Sequence, residues 1–69
     1  MERGYEMEDY QQRVIEEKKE LDEKINKLRI FLGASPFKSL TVENQSLLKD
    51  QYVVMAQYST ILAKRIDLF

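Results

Sequence analysis

Both glycines and the only proline of this 69-residue chain lie outside two long stretches, Met7 to Leu32 and Val42 to Ile66. Helix breakers are therefore confined to the N-terminal end and to one short segment between the stretches. The stretches themselves are rich in Glu, Lys, Leu and Gln, which lose little side-chain freedom in a helix. The pattern predicts an all-α fold: a helix over about 7–32, a connector over 33–41 and a second helix over about 42–67, forming one antiparallel hairpin domain over residues 1–69. Gly33 follows Leu32 where a helix commonly ends on a residue of positive φ, and Pro36 prevents the helix from continuing. Ser35 before Pro36 is placed to cap a short turn through Leu40, and Thr41 to cap the second long helix.

The two stretches carry different apolar faces. In the first, Tyr10, Val14, Leu21, Ile25, Leu28 and Leu32 recur with the period of a single narrow helical face. Its remaining surface places acids four residues before bases at Asp9/Arg13, Glu20/Lys24 and Glu23/Lys27, spacings that support an isolated helix by roughly 0.2–0.5 kcal/mol each. In the second, Leu48, Tyr52, Met55, Leu62 and Ile66 form one seam, and Leu47, Val54, Tyr58 and Ile61 form another beside it. A hairpin partner covers a stripe only about 100° wide, so the second seam is left as an apolar shoulder. A second copy of the chain is the expected cover. Below roughly 70–80 residues a lone core rarely supplies more than about 3–5 kcal/mol, and a chain without cysteine has no disulfide to compensate. The expected architecture is a homo-oligomeric helical bundle larger than a dimer.

Catalysis is disfavoured. The chain has no histidine and no cysteine, which removes the usual zinc ligands and the usual general base near neutral pH. It has no Gly-rich phosphate loop, no nucleophile triad and no EF-hand acid ladder. Adjacent carboxylates at Glu16-Glu17 and Asp22-Glu23 point about 100° apart on a helix and cannot share a substrate. We therefore expect no enzyme, no metal and no cofactor. Basic and acidic residues nearly cancel, to a formal net charge of -1, which disfavours DNA as a partner. The longest apolar run is four residues, Val53 to Ala56, and no leader pattern opens the chain, so a soluble, cytoplasmic protein without membrane contact is expected.

The remaining chemistry is aromatic rings and cations, which suit a flat anionic ligand such as a nucleotide. Tyr10 and Lys24 lie on one flank of the first helix, about 40° apart but roughly 21 Å apart along its axis. One small ligand cannot touch both on one chain, whereas two such helices laid antiparallel would bring Tyr10 of each beside Lys24 of the other. Periodicity leaves simpler roles open: Tyr10 also fits the apolar stripe, Lys24 has Glu20 one turn before it, Lys27 has Glu23, and Arg65 suits the negative end of a helix.

The run Tyr10-Gln-Gln-Arg-Val-Ile-Glu-Glu-Lys-Lys-Glu-Leu-Asp-Glu-Lys-Ile25, then Lys27-Leu28 and Phe31-Leu32, resembles the first helix of a family of small bacteriophage hairpin proteins. The second helix is similar too, in Leu47-Leu48, Gln51, Met55, Tyr58, Ile61-Leu62 and Arg65-Ile66. This is the second anti-CBASS family, sponges for the cyclic oligonucleotide signals of bacterial antiphage defence, whose hairpin domain is shared with an anti-Thoeris sponge family. The resemblance implies a hexamer of hairpins in the cytoplasm of the infected host that sequesters cyclic dinucleotides between first helices of different protomers, without cleaving them. It implies a stacking tyrosine and a phosphate-binding lysine, matched by Tyr10 and Lys24, with Lys27 as the alternative cation. It also implies a separate cyclic-trinucleotide site, for which Arg65 and Asn26 are the nearest matches, Asn26 standing where threonine is more usual. The competing expectation, from the residues alone, is a non-catalytic adaptor that docks another protein through its apolar shoulder.

Overall fold

The computed structural model of the chain describes residues 8–69. The order is α1 (Asp9–Leu32), α2 (Ser35–Lys38) and α3 (Val42–Asp67). Two long antiparallel helices are joined by a single helical turn, as the distribution of Gly and Pro predicts; the expected start of the first helix near residue 7 lies outside the described residues.

Each end of the long helices is closed by local chemistry. Glu8 N–H donates to Oε1 of Gln11 at 2.9 Å, and Asp9 places an acid in the first turn of α1, where the macrodipole favours negative charge. Thr41 caps α3 as expected, its Oγ1 accepting from Asn44 N–H at 3.1 Å, with Glu43 in the first turn and Lys64 and Arg65 in the last. Gln45 Nε2 donates to the Leu40 carbonyl at 3.0 Å, which ties the connector to α3.

Two expectations for the connector are corrected. Gly33 does not adopt positive φ: it sits at φ -97°, ψ 2°, and no described residue has positive φ. The turn closes instead through i→i−3 bonds, Gly33 N–H to the Ile30 carbonyl at 3.2 Å and Ala34 N–H to that of Phe31 at 3.0 Å. An extended Ala34 then feeds α2 directly, and Ala34, not Ser35, is its N-cap residue. Proline fits the first turn of a helix, so α2 starts one residue earlier than a Ser35 cap would place it. A Cβ at Gly33 would meet only the Ile30 carbonyl oxygen, at 3.8 Å. Gly33→Ala is therefore expected to be neutral or stabilising, by up to about 0.4–1 kcal/mol through lost freedom of the unfolded chain. Urea unfolding checks this, and a clear loss of stability would show that position 33 needs glycine.

The core is a thin strip. Three hydrophobic side chains among the described residues are buried: Val14 of α1, Phe37 of α2 and Leu62 of α3. At the closed end Phe37 meets Phe31 edge to face, with ring centroids 6.0 Å apart, and Lys49 Nζ lies 5.8 Å from the Phe37 ring centre. Along α3 the two seams separate as the periodicity predicts. Leu48, Tyr52, Met55 and Ile66 are half-buried along the same face as the buried Leu62. Leu47, Val54, Tyr58 and Ile61 remain 59%, 61%, 41% and 55% exposed.

One polar contact crosses the hairpin. Ser59 Oγ donates to Asp22 Oδ1 at 2.5 Å, while Lys18 Nζ binds Asp22 Oδ2 at 2.7 Å. The acid-before-base pairs at Asp9/Arg13, Glu20/Lys24 and Glu23/Lys27 are not closed; among the described residues the ion pair within 4.0 Å is Lys18–Asp22. Exposed pairs gain too little in water to hold two long side chains in one geometry, and Asp22 differs in having a second partner, Ser59, on the opposite helix. The Lys18 bond and then the Ser59 bond hold the Asp22 carboxyl below its ordinary pKa. A depressed pKa adds stability that is present above the unfolded-state value and is lost as pH falls through the folded one. For so exposed a pair the contribution is well under about 1 kcal/mol. Carboxyl NMR should place the Asp22 midpoint below the ordinary aspartate value, and Ser59→Ala should raise it; an unmoved midpoint would mean that the hydroxyl does not hold the carboxylate in solution.

Candidate functional site

The contact between Asp22 and Ser59 sets the register of the hairpin, and a second contact agrees with it. Twelve residues back along α1, Tyr10 meets Phe69, which is ten residues on from Ser59; the ring centroids are 5.8 Å apart at 80°. Tyr10 thus sits at the open end of the hairpin with an edge-to-face neighbour, and 53% of its surface remains exposed. The ring continues the apolar stripe of α1 and still offers a free surface. Local spacing does not single out Phe69, because it cannot tell which residues two helices bring together.

Lys24 and Lys27 are exposed on α1, and neither closes an ion pair with another described residue. Lys24 shares the Tyr10 flank, and Lys27, three residues on, lies about 60° further round the helix. The straight helix keeps Tyr10 and Lys24 roughly 21 Å apart along the axis. One chain therefore offers a ring at one height and an ammonium at another.

Asn26 lies on a different face. Two residues beyond Lys24, it is turned by about 200°, away from the Tyr10 flank. Its Oδ1 accepts from Arg29 Nη2 at 2.5 Å. Arg65 is exposed and follows Tyr58 by seven residues and Ile61 by four, at the end of the apolar shoulder of α3. By the hairpin register Arg65 stands level with about Glu16, ten residues or roughly 15 Å from Asn26. Neither pair of candidates is joined within one hairpin.

Exposed rings and ammonium groups separated in this way can grip an anionic, base-bearing ligand only where a second chain completes the set. Among the described residues no group of three or more carboxylates is placed to hold a metal ion, and no helix is long and apolar enough to cross a membrane.

Residues 8–68 match the Sequestin family. The chain belongs to the Sequestin family. It is also 42% identical over 60 residues, covering 87% of this chain and 94% of the relative, to the uncharacterized 7.5 kDa protein in the denB-rIIB intergenic region of Enterobacteria phage T4. No solved structure matches significantly. The Sequestin name denotes sequestration, which is a non-catalytic activity, and the T4 relative is a phage protein. Both fit the phage nucleotide-sponge resemblance carried by the residues from Tyr10 to Phe69.

Proposed function

We propose that this Sequestin is a phage anti-defence sponge: a single-domain hairpin, assembled as a homohexamer in the cytoplasm of the infected bacterium, that binds cyclic dinucleotides and withholds them from CBASS effectors. The observation that carries the reading is the free surface of Tyr10 on the same exposed flank of α1 as Lys24, in a family named for sequestration. The two Tyr10 rings of a chain pair stack on the two bases, and Lys24 or Lys27 of the opposite chain binds the phosphates. Arg65 and Asn26 from different chains form the second, cyclic-trinucleotide site. With no histidine or cysteine in the chain, and no group among the described residues placed to hold a metal ion, the ligand is expected to leave unchanged.

The free apolar shoulder of Leu47, Val54, Tyr58 and Ile61 favours a second reading, an adaptor that docks another protein and binds no nucleotide. Thermal melting with a cyclic dinucleotide separates the two. A ligand at 100 times its Kd should add about 2.7 kcal/mol of stability, whereas an adaptor would melt unchanged. After incubation and denaturation, chromatography should recover the cyclic ligand intact. Linear product in proportion to protein would make this a nuclease.

A further inference from the structure

Tyr10 stands in the first turn of α1, which starts at Asp9. A long side chain in a helix leans back over the turn that precedes it, and at Tyr10 the helix has no such turn. Its own helix therefore does little to fix the ring. The restraint comes from the other side of the hairpin: the Phe69 ring lies 5.8 Å from that of Tyr10, centroid to centroid, at 80°, within the range in which edge-to-face pairs attract.

Phe69 lies beyond the end of α3 at Asp67, yet its main chain is anchored. Its N–H donates to the Ile66 carbonyl at 3.0 Å, and Leu68 N–H donates to that of Arg65 at 3.1 Å. Leu68 is left 86% exposed, while Phe69 meets α1. The aromatic pair stands outside the thin core of Val14, Phe37 and Leu62, since Tyr10 and Phe69 remain 53% and 39% exposed. A neighbour at 80° covers at most one face of a ring, so a face of Tyr10 stays open to a flat partner while its plane is held.

We propose that Phe69 is a positioning residue for ligand stacking: through its edge-to-face contact it holds the Tyr10 ring in the plane on which a base of a cyclic dinucleotide stacks. The role rests on the sponge reading of the Tyr10 flank, and it adds a determinant carried by the end of α3 to a site otherwise drawn from α1. A base that stacks on a loose side chain must order it on binding, whereas a ring held in the free protein has already lost that freedom. In a two-fold site the contact acts twice, once for each ring.

The test compares Phe69→Leu, which keeps an apolar side chain but removes the ring, with Phe69→Tyr, which restores a ring. Cyclic di-GMP, cyclic di-AMP and cyclic GMP-AMP are each titrated into the full chain by calorimetry. For the nucleotide the natural chain binds best, Phe69→Leu should weaken binding on the order of tenfold, because two rings must then be ordered by the ligand. Mass and helicity of the ligand-free protein should stay as they are, and Phe69→Tyr should bind as the natural chain does. NMR of the ligand-free protein supplies a readout that needs no nucleotide. The Phe69 ring current shifts the Tyr10 ring protons, whose signals Tyr10→Phe identifies; Phe69→Leu should move them toward ordinary tyrosine positions and leave the other tyrosine signals in place. Unchanged affinity in Phe69→Leu, weak binding by Phe69→Tyr, or Tyr10 signals indifferent to Phe69 overturns the positioning role, and the sponge reading stands. A Phe69→Leu protein that loses its mass or helicity overturns the role as well, since Phe69 is then structural. A natural chain that binds none of the three nucleotides, with the Tyr10 signals still shifted by Phe69, removes the sponge reading and the role with it.

Discussion

Val54→Glu should break the assembly, with the mass by light scattering falling toward the 8.2 kDa of one chain, or the helical signal lost with it. Val54 is at the centre of the α3 shoulder, with Leu47 and Ile61 seven residues to either side and Tyr58 one turn on, and 61% of it is exposed in the single hairpin. If a second chain covers the shoulder, the new carboxylate is buried without a partner, at a cost of several kcal/mol. Since only three buried hydrophobic side chains are found among the described residues, losing the assembly removes a large share of the burial that keeps the chain folded. Val53→Glu is the control. Val53 is 52% exposed but lies about 100° further round α3, away from both seams, and surface substitutions usually fall within about 0.5 kcal/mol. A Val54→Glu protein of unchanged mass would take the shoulder out of the interface, and a Val53→Glu protein that dissociates would move the interface to the outer face.

The two seams of α3 also show what periodicity can read. The rise and twist of a helix determine which residues share a face, so the division of Leu48, Tyr52, Met55, Leu62 and Ile66 from Leu47, Val54, Tyr58 and Ile61 is legible in the order of the residues. So is the existence of a turn between Leu32 and Val42, because proline and glycine gather there. The backbone angles of Gly33 are not. Glycine permits positive φ but does not impose it, and the immediate start of α2 makes an ordinary i→i−3 closure sufficient. The charge pairs stay open for a related reason: spacing shows which residues can meet on a helix, and water leaves most such pairs apart. Lys18 and Asp22 do meet because Ser59 arrives from the other helix, and the hairpin register that brings it is a tertiary property. The contact of Tyr10 with Phe69 is hidden from local spacing in the same way. For the candidate site, the flank shared by Tyr10 and Lys24 follows from the helical period, and so does their separation along the axis. What completes the site depends on how chains assemble, which local spacing does not contain.

Tyr10→Ala and Lys24→Ala are each expected to abolish most cyclic-dinucleotide binding while leaving mass and helicity nearly unchanged. Tyr10 touches Phe69 at the open end of the hairpin, and Lys24 closes no ion pair with a described residue, so neither substitution removes core packing around Leu62. The ligand loses more. Removing a stacked ring costs on the order of 1–3 kcal/mol per base, and in a two-fold site one substitution removes both rings. Lys24→Ala likewise deletes two charge-assisted contacts at once. Titration calorimetry measures each loss. A Lys27→Ala variant run beside them assigns the phosphate contact: the lysine whose removal costs more is the one that binds. The decisive measurement mixes Tyr10→Ala and Lys24→Ala chains under subunit exchange. A pocket formed by one chain of each kind retains Tyr10 from the Lys24→Ala chain and Lys24 from the Tyr10→Ala chain, which is one intact half, so the mixture should bind more tightly than either variant alone. If exchange is demonstrated and no binding returns, Tyr10 and Lys24 do not meet across an interface, and the ligand must lie elsewhere on the assembly.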